Sequence, residues 1–208
     1  ATVPEITTMY LDTPRFADGD ITGGTPTLHA EIAPNALGIV GNSSQPGRSA
    51  TLVLDGSRNI TDVAFVLTPD TDGGASVDLP LTDIADGPHT LTLKVNNYAG
   101  QSAERTIRFT AVNVAGEAVA TVEEYPASDT ATITFDSGLS GEITARLVIK
   151  DGLGHVAFPD NKATFPYRWN LRDSTGNDVA DGPYTVEIYY TDGHRYGATP
   201  ATPVVVRR

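Results

Sequence analysis

The octet Ile84-Ala85-Asp86-Gly87-Pro88-His89-Thr90-Leu91 recurs as Val179-Ala180-Asp181-Gly182-Pro183-Tyr184-Thr185-Val186, with five of the eight positions identical. In a chain of 208 residues such an echo at about half the length points to two copies of one module, because domains of about a hundred residues bury enough surface to fold alone. Each copy of the octet runs from Asp-Gly-Pro, which is turn chemistry, into alternating apolar positions: Leu91, Leu93 and Val95 in the first, Val186, Ile188 and Tyr190 in the second. A turn feeding a half-buried strand is the local structure this pattern specifies.

The rest of the chain repeats that grammar. Leu28, Ala30 and Ile32 alternate with Thr27, His29 and Glu31, so His29 is expected on the wet face of a strand. Thr51 to Leu54 ends at Asp55-Gly56, Val63 to Leu67 at Pro69-Asp70, and Val77, Leu79 and Leu81 lead into the first octet. Arg105 to Val112 places Ile107, Phe109 and Ala111 on one side. In the second half, strands are expected over Val119 to Tyr125, Thr130 to Phe135, Ile143 to Lys150, Phe165 to Leu171 and Val204 to Val206. Twenty glycines, fourteen prolines and one methionine accompany these runs, and no stretch sustains a 3.6-residue period. The expectation is an all-β chain of two tandem immunoglobulin-like, fibronectin III-like β-sandwiches, residues 1–114 and 115–208, joined by a linker at Asn113 to Glu117. Tyr184, just inside a late strand, fits a tyrosine corner, whose phenol ties down the preceding loop; His89 fits that role less well.

Charge narrows the partners. The formal charge is −12, spread as −7 over residues 1–115 and −5 over the remainder. A duplex or an anionic membrane surface is repelled by such a field, and no basic stripe with interleaved aromatics offsets it, so nucleic acid is excluded. No apolar run approaches the roughly twenty residues of a spanning helix. Ala1 opens no signal sequence, which implies a leader removed or a longer parent, and the closing strand at Val204 to Val206 suggests a natural terminus.

Chemistry has few places to reside. Cysteine is absent, which removes thiol nucleophiles, disulfides and thiolate metal sites. The four histidines, His29, His89, His155 and His194, are scattered, and no Gly-x-Ser-x-Gly elbow is present. His155 and His194 follow glycines in turns, where solvated rings are the rule. Asp18-Gly19-Asp20, Asp70-Thr71-Asp72-Gly73 and Asp173 to Asp178 offer alternating hard oxygens of the kind calcium takes, without the twelve-residue spacing of an EF-hand; Asx-turns explain the same clusters with no ion. The sole tryptophan, Trp169, shares a strand face with Tyr167 and Leu171 and is expected in the core. Tyr189, Tyr190 and Tyr196 would favour a carbohydrate or protein contact if exposed together. The residues thus assign no catalytic, no cofactor-binding and no metal site.

Several short motifs carry a resemblance. Met9-Tyr10-Leu11, Phe16-Ala17-Asp18-Gly19-Asp20, Thr25-Pro26, Gly38-Ile39, Leu52-Val53-Leu54-Asp55-Gly56, Trp169-Asn170-Leu171-Arg172-Asp173, Gly176-Asn177, Asp181-Gly182-Pro183-Tyr184 and Asp192-Gly193-His194-Arg195-Tyr196-Gly197 resemble the region behind the catalytic domain in gingipain-family cysteine peptidases, most nearly the sortase branch of type IX secretion in Bacteroidetes. The family's Cys-His dyad belongs to a domain that would precede Ala1, so the resemblance carries over no catalytic residue. It implies a non-catalytic, extracytoplasmic tandem, secreted or held at the cell surface or outer membrane. Such a tandem braces or presents an enzyme domain and docks to that domain or to secretion-system proteins. The other readings are an adhesion or glycan-binding surface module and an independent hydrolase, the latter only if histidines meet an Asp and a Ser in a cleft.

Overall fold

A computed structural model describes residues 3–41, 48–61, 67–113, 118–139 and 141–208, and no helix occurs among them. Seventeen strands form: β1 (Ile6–Leu11), β2 (Ile21–Gly23), β3 (Thr27–Ile32), β4 (Thr51–Leu54), β5 (Arg58–Thr61), β6 (Leu67–Pro69), β7 (Ala75–Pro80), β8 (Gly87–Asn96), β9 (Ser102–Val112), β10 (Val119–Val122), β11 (Ala131–Asp136), β12 (Thr144–Asp151), β13 (Val156–Asp160), β14 (Tyr167–Trp169), β15 (Gly182–Thr191), β16 (Tyr196–Ala198) and β17 (Thr202–Val206). Contacts divide the chain into two compact units, one of Ala1–Asp20, Gly24–Ile84 and Pro88–Ala111, the other of Ile21–Gly23, Ala85–Gly87 and Val112–Arg208. The linker expected at Asn113 to Glu117 falls mostly on residues 114–117, outside the described residues, as does most of the strand expected from Val63.

The first unit stacks the antiparallel order β1-β3-β7-β6 against β9-β8-β4-β5. That division, with the first, second and fifth major strands in one sheet and the last two beside the third in the other, is the immunoglobulin-type sandwich. Alternation drives it: Leu28, Ala30 and Ile32 of β3 are buried while His29 and Glu31 face outward. Leu52, Leu91, Leu93, Phe109 and Leu11 meet in its interior.

The second unit sets β10-β11-β14 against β13-β12-β15, with β16 and β17 both paired to β15. It is the fibronectin III-like variant of the same plan, with a core built around Trp169, Ile133, Leu147, Ile149 and Val204. Tyr189 pairs with Ala198 whereas Val186 pairs with Thr202, so one extra residue separates β16 from β17 on the last edge. Buried Thr199 fills the gap: its N–H donates to Ile188 O at 2.9 Å and its Oγ1 accepts from Ile188 N–H at 3.0 Å. A threonine hydroxyl thus stands in for the ladder carbonyl that the bulge removes.

The repeated octet occupies the same place in both units, the turn that opens a ten-residue strand, β8 or β15. Its glycines adopt positive φ, +120° at Gly87 and +151° at Gly182, which side chains with a Cβ resist. Tyr184 makes the expected corner, donating its phenol to Ala180 O at 2.9 Å. His89, in the equivalent position, turns to Asp55 of the β4–β5 turn instead.

Candidate functional site

A concavity of about 230 Å³ in the first unit lies beside that histidine and is lined by Gly19, Asp55, Pro88, His89, Thr90, Arg108, Phe109 and Thr110. Asp55 takes a left-handed backbone, φ 51°, in the β4–β5 turn, which carries its N–H to Thr90 O at 2.9 Å. Its carboxylate then accepts from Thr90 N–H at 2.8 Å and meets His89 Nδ1 at 2.8 Å. Burial pushes the Asp55 carboxyl up, but the Thr90 N–H and the His89 ring outweigh it and hold the group below its ordinary range. Arg108, also in the lining, binds Asp18 through Nε and Nη2 at 2.9 and 2.7 Å, and its own N–H reaches Asp18 Oδ1 at 2.6 Å. Those side-chain and backbone bonds lower the Asp18 carboxyl. The cavity contains a His-Asp pair and two threonines, and the pair ties the β4–β5 turn to β8.

A second His-Asp pair lies on the outward face of the other sheet. Strand register sets Tyr10 opposite His29, and His29 opposite Asp78. His29 Nδ1 lies 2.5 Å from Asp78 Oδ1, and the Tyr10 ring stacks on the imidazole at 5.1 Å with 24° between planes. Ser76 and Glu31 line the same shallow hollow of about 80 Å³. Serine, histidine and aspartate therefore share one cleft, the arrangement that would open the hydrolase reading. Amides of paired strands lie in the sheet plane and point to neighbouring strands, so the backbone aims no pair of donors up from this face.

The other sequence candidates are turn builders. Asp151 Oδ1 accepts from the N–H groups of Leu153 and His155, and its second oxygen lies 3.3 Å from the His155 ring. Asp192 does the same for Arg195 and His194 and also binds the Arg195 guanidinium at 2.8 Å; the two backbone N–H groups first, and then the guanidinium, hold its carboxyl down at about 2. Asp20 accepts from Ala17 N–H, Asp72 from Gly74 N–H, and Asp173 from Thr175 and Asn177 N–H. Among the described residues no three His, Asp or Glu side chains converge as a metal would require.

Trp169 is 1% exposed, T-stacked on Tyr184 at 5.6 Å, with its indole N–H donating to Arg172 O at 2.8 Å. Tyr190 is buried against Phe135, and Tyr189 donates to Glu187, so the Tyr189 to Tyr196 stretch forms no exposed aromatic cluster. The exposed tyrosines are Tyr98 and Tyr125, one in each unit. Sequence reading missed the His29–Asp78 and His89–Asp55 pairs, because each joins residues far apart in the chain that only the folded sheet brings together.

No protein-family model matches the chain, and no curated protein matches it either. Among solved structures it is similar to dimeric latent PorU from Porphyromonas gingivalis, at 22% identity and a TM-score of 0.49 over 99% of this chain. It spans only 20% of PorU. It is also similar to the fibronectin(III)-like modules of Clostridium thermocellum CbhA, at 13% identity and TM-score 0.34, covering 96% of this chain and 93% of that one. A third likeness is to Bacteroides ovatus SGBP-B, solved with a mixed-linkage heptasaccharide, at 15% identity and TM-score 0.34, covering 100% and 48%. Among the described residues no helix is long and apolar enough to cross a membrane.

Proposed function

We propose that this chain is a non-catalytic accessory tandem of two β-sandwich domains, 1–114 and 115–208, from the C-terminal part of an extracytoplasmic gingipain-like peptidase or of a secreted surface protein. There it braces or presents the enzyme domain and offers docking surface to protein partners. One observation carries the reading: the aspartates of the turns and loops, with the partners they hold, are spent on architecture. Asp55 and His89 lock a turn to β8, Asp18 and Arg108 lock the loop before β2 to β9, and Asp151, Asp173 and Asp192 each close a turn on backbone N–H groups. The turn motifs that resemble the gingipain family support that parent.

The coding sequence upstream of Ala1 tests the parentage: a cysteine peptidase domain there is the expected result, and an unrelated enzyme domain overturns it. The non-catalytic half is tested on the purified chain with an activity-based serine-hydrolase probe and a peptide-substrate panel. No labelling and no turnover are expected. Turnover that His29→Ala or Ser76→Ala abolishes would reinstate the hydrolase.

A further inference from the structure

The hollow around Tyr10 and His29 is unlike the other polar sites, because its carboxylates do not close turns. The positions of β1, β3 and β7 outside the core are Thr7, Thr8, Tyr10, Thr27, His29, Glu31, Ser76, Asp78 and Pro80, with neither lysine nor arginine among them. Glu31 and Asp78 flank the Tyr10–His29 stack, and among the described residues neither meets a lysine or arginine. Both carboxylates act on the Tyr10 phenol, which burial and then Glu31 and Asp78 push up. Thr8 Oγ1 is buried at the same hollow with no hydrogen-bond partner among the described residues. A surface that combines an aromatic stack with two carboxylates, Asp78 met only by the His29 ring and Glu31 by no cation among the described residues, attracts a planar cation, which can pair with carboxylate and lie against a ring at once. A volume of about 80 Å³ admits one such head group, far below the roughly 300 Å³ at which small-molecule sites begin.

We propose that the outward face of β1, β3 and β7 docks a basic segment of a partner polypeptide, seating an arginine between Glu31 and Asp78 against the Tyr10–His29 stack. The inference rests on the docking role proposed above and names the chemistry of the partner. A second copy of this chain, itself strongly acidic, is the wrong occupant.

The test is a nitrogen-15 NMR titration of the whole chain with a blocked oligoarginine peptide at low salt. Amide shifts concentrated at Tyr10, His29, Glu31, Ser76 and Asp78 are expected. The double variant Glu31→Gln/Asp78→Asn should bind on the order of tenfold more weakly, while Asp136→Asn/Glu142→Gln, which removes the same charge from the second unit, should stay within about twofold of the parent. Equal weakening of the two doubles, shifts centred elsewhere, or no binding would overturn the surface. The shift map of the unmodified chain decides the matter even if a variant misfolds. Failure here leaves the accessory reading standing, since that reading falls on the upstream sequence and on turnover.

Discussion

Tyr184 shows how one hydroxyl can organise a corner. Its ring packs edge-on to Trp169 while its phenol reaches back four residues to Ala180 O, so Tyr184→Phe keeps the ring and leaves the carbonyl without that donor. A loss of about 1–2 kcal/mol is expected in urea unfolding, the range of a hydrogen bond whose acceptor stays partly buried; a change under about 0.3 kcal/mol, on the same scale, would mean that water replaces the phenol. Asp192 makes the corresponding point for charge. Its carboxyl is held down at about 2 by the Arg195 and His194 N–H groups and then by the Arg195 side chain. Because the folded value lies below the unfolded value of about 4, the stability this group contributes is complete above pH ~4 and lost as pH falls towards 2. Asp192→Asn should therefore flatten the acid limb of the stability profile between those limits, and a carbon-13 titration of the Asp192 carboxyl should place its midpoint near 2 in the folded chain. A midpoint in the ordinary carboxylate range would show that the turn does not hold.

At the scale of elements, the join between β16 and β17 depends on Thr199. Its hydroxyl satisfies Ile188 N–H inside a buried ladder, so Thr199→Val, nearly equal in volume, leaves that donor unpaired and should cost about 1–3 kcal/mol. Faster hydrogen exchange at Ile188 is the specific readout, and unchanged protection there would refute the role. This bulge also marks where sequence reading stops. Strands whose apolar residues alternate cleanly, such as β3, β4 and β9, are legible from composition and turn residues alone, and so are Trp169 and Leu171 as core. β13 and β16 are short edge strands with glycine, proline or polar neighbours, and their pairing partner supplies the ladder that their own sequence does not announce. β14 covers only Tyr167–Trp169 of the longer strand expected from Phe165, because Leu171 turns at φ 55°. The His29–Asp78 and His89–Asp55 pairs were hidden for the same reason: residues 49 or 34 positions apart meet only when register is set.

At the scale of the whole molecule, the question is whether charge helps or hinders the fold. Exposed ion pairs such as Arg108–Asp18, Lys94–Glu104 and Arg172–Asp178 favour the folded chain, but each such pair contributes only about 0–1 kcal/mol and salt screens it. Opposing them is a net charge of −12. Two like charges 20 Å apart in water repel by about 0.2 kcal/mol. Twelve unbalanced charges make on the order of several dozen such pairs, closer together folded than unfolded. The repulsion opposes the surface pairs and has the longer range, so it is what added salt removes first as the Debye length falls from about 30 Å to about 8 Å. Raising sodium chloride from about 10 to about 150 mM should accordingly raise the melting temperature at neutral pH, with the gain vanishing near the isoelectric point of about 4.5, where the net charge is gone. A melting temperature that falls with salt at neutral pH would mean that the discrete ion pairs, and not the acidic field, govern the stability of this tandem.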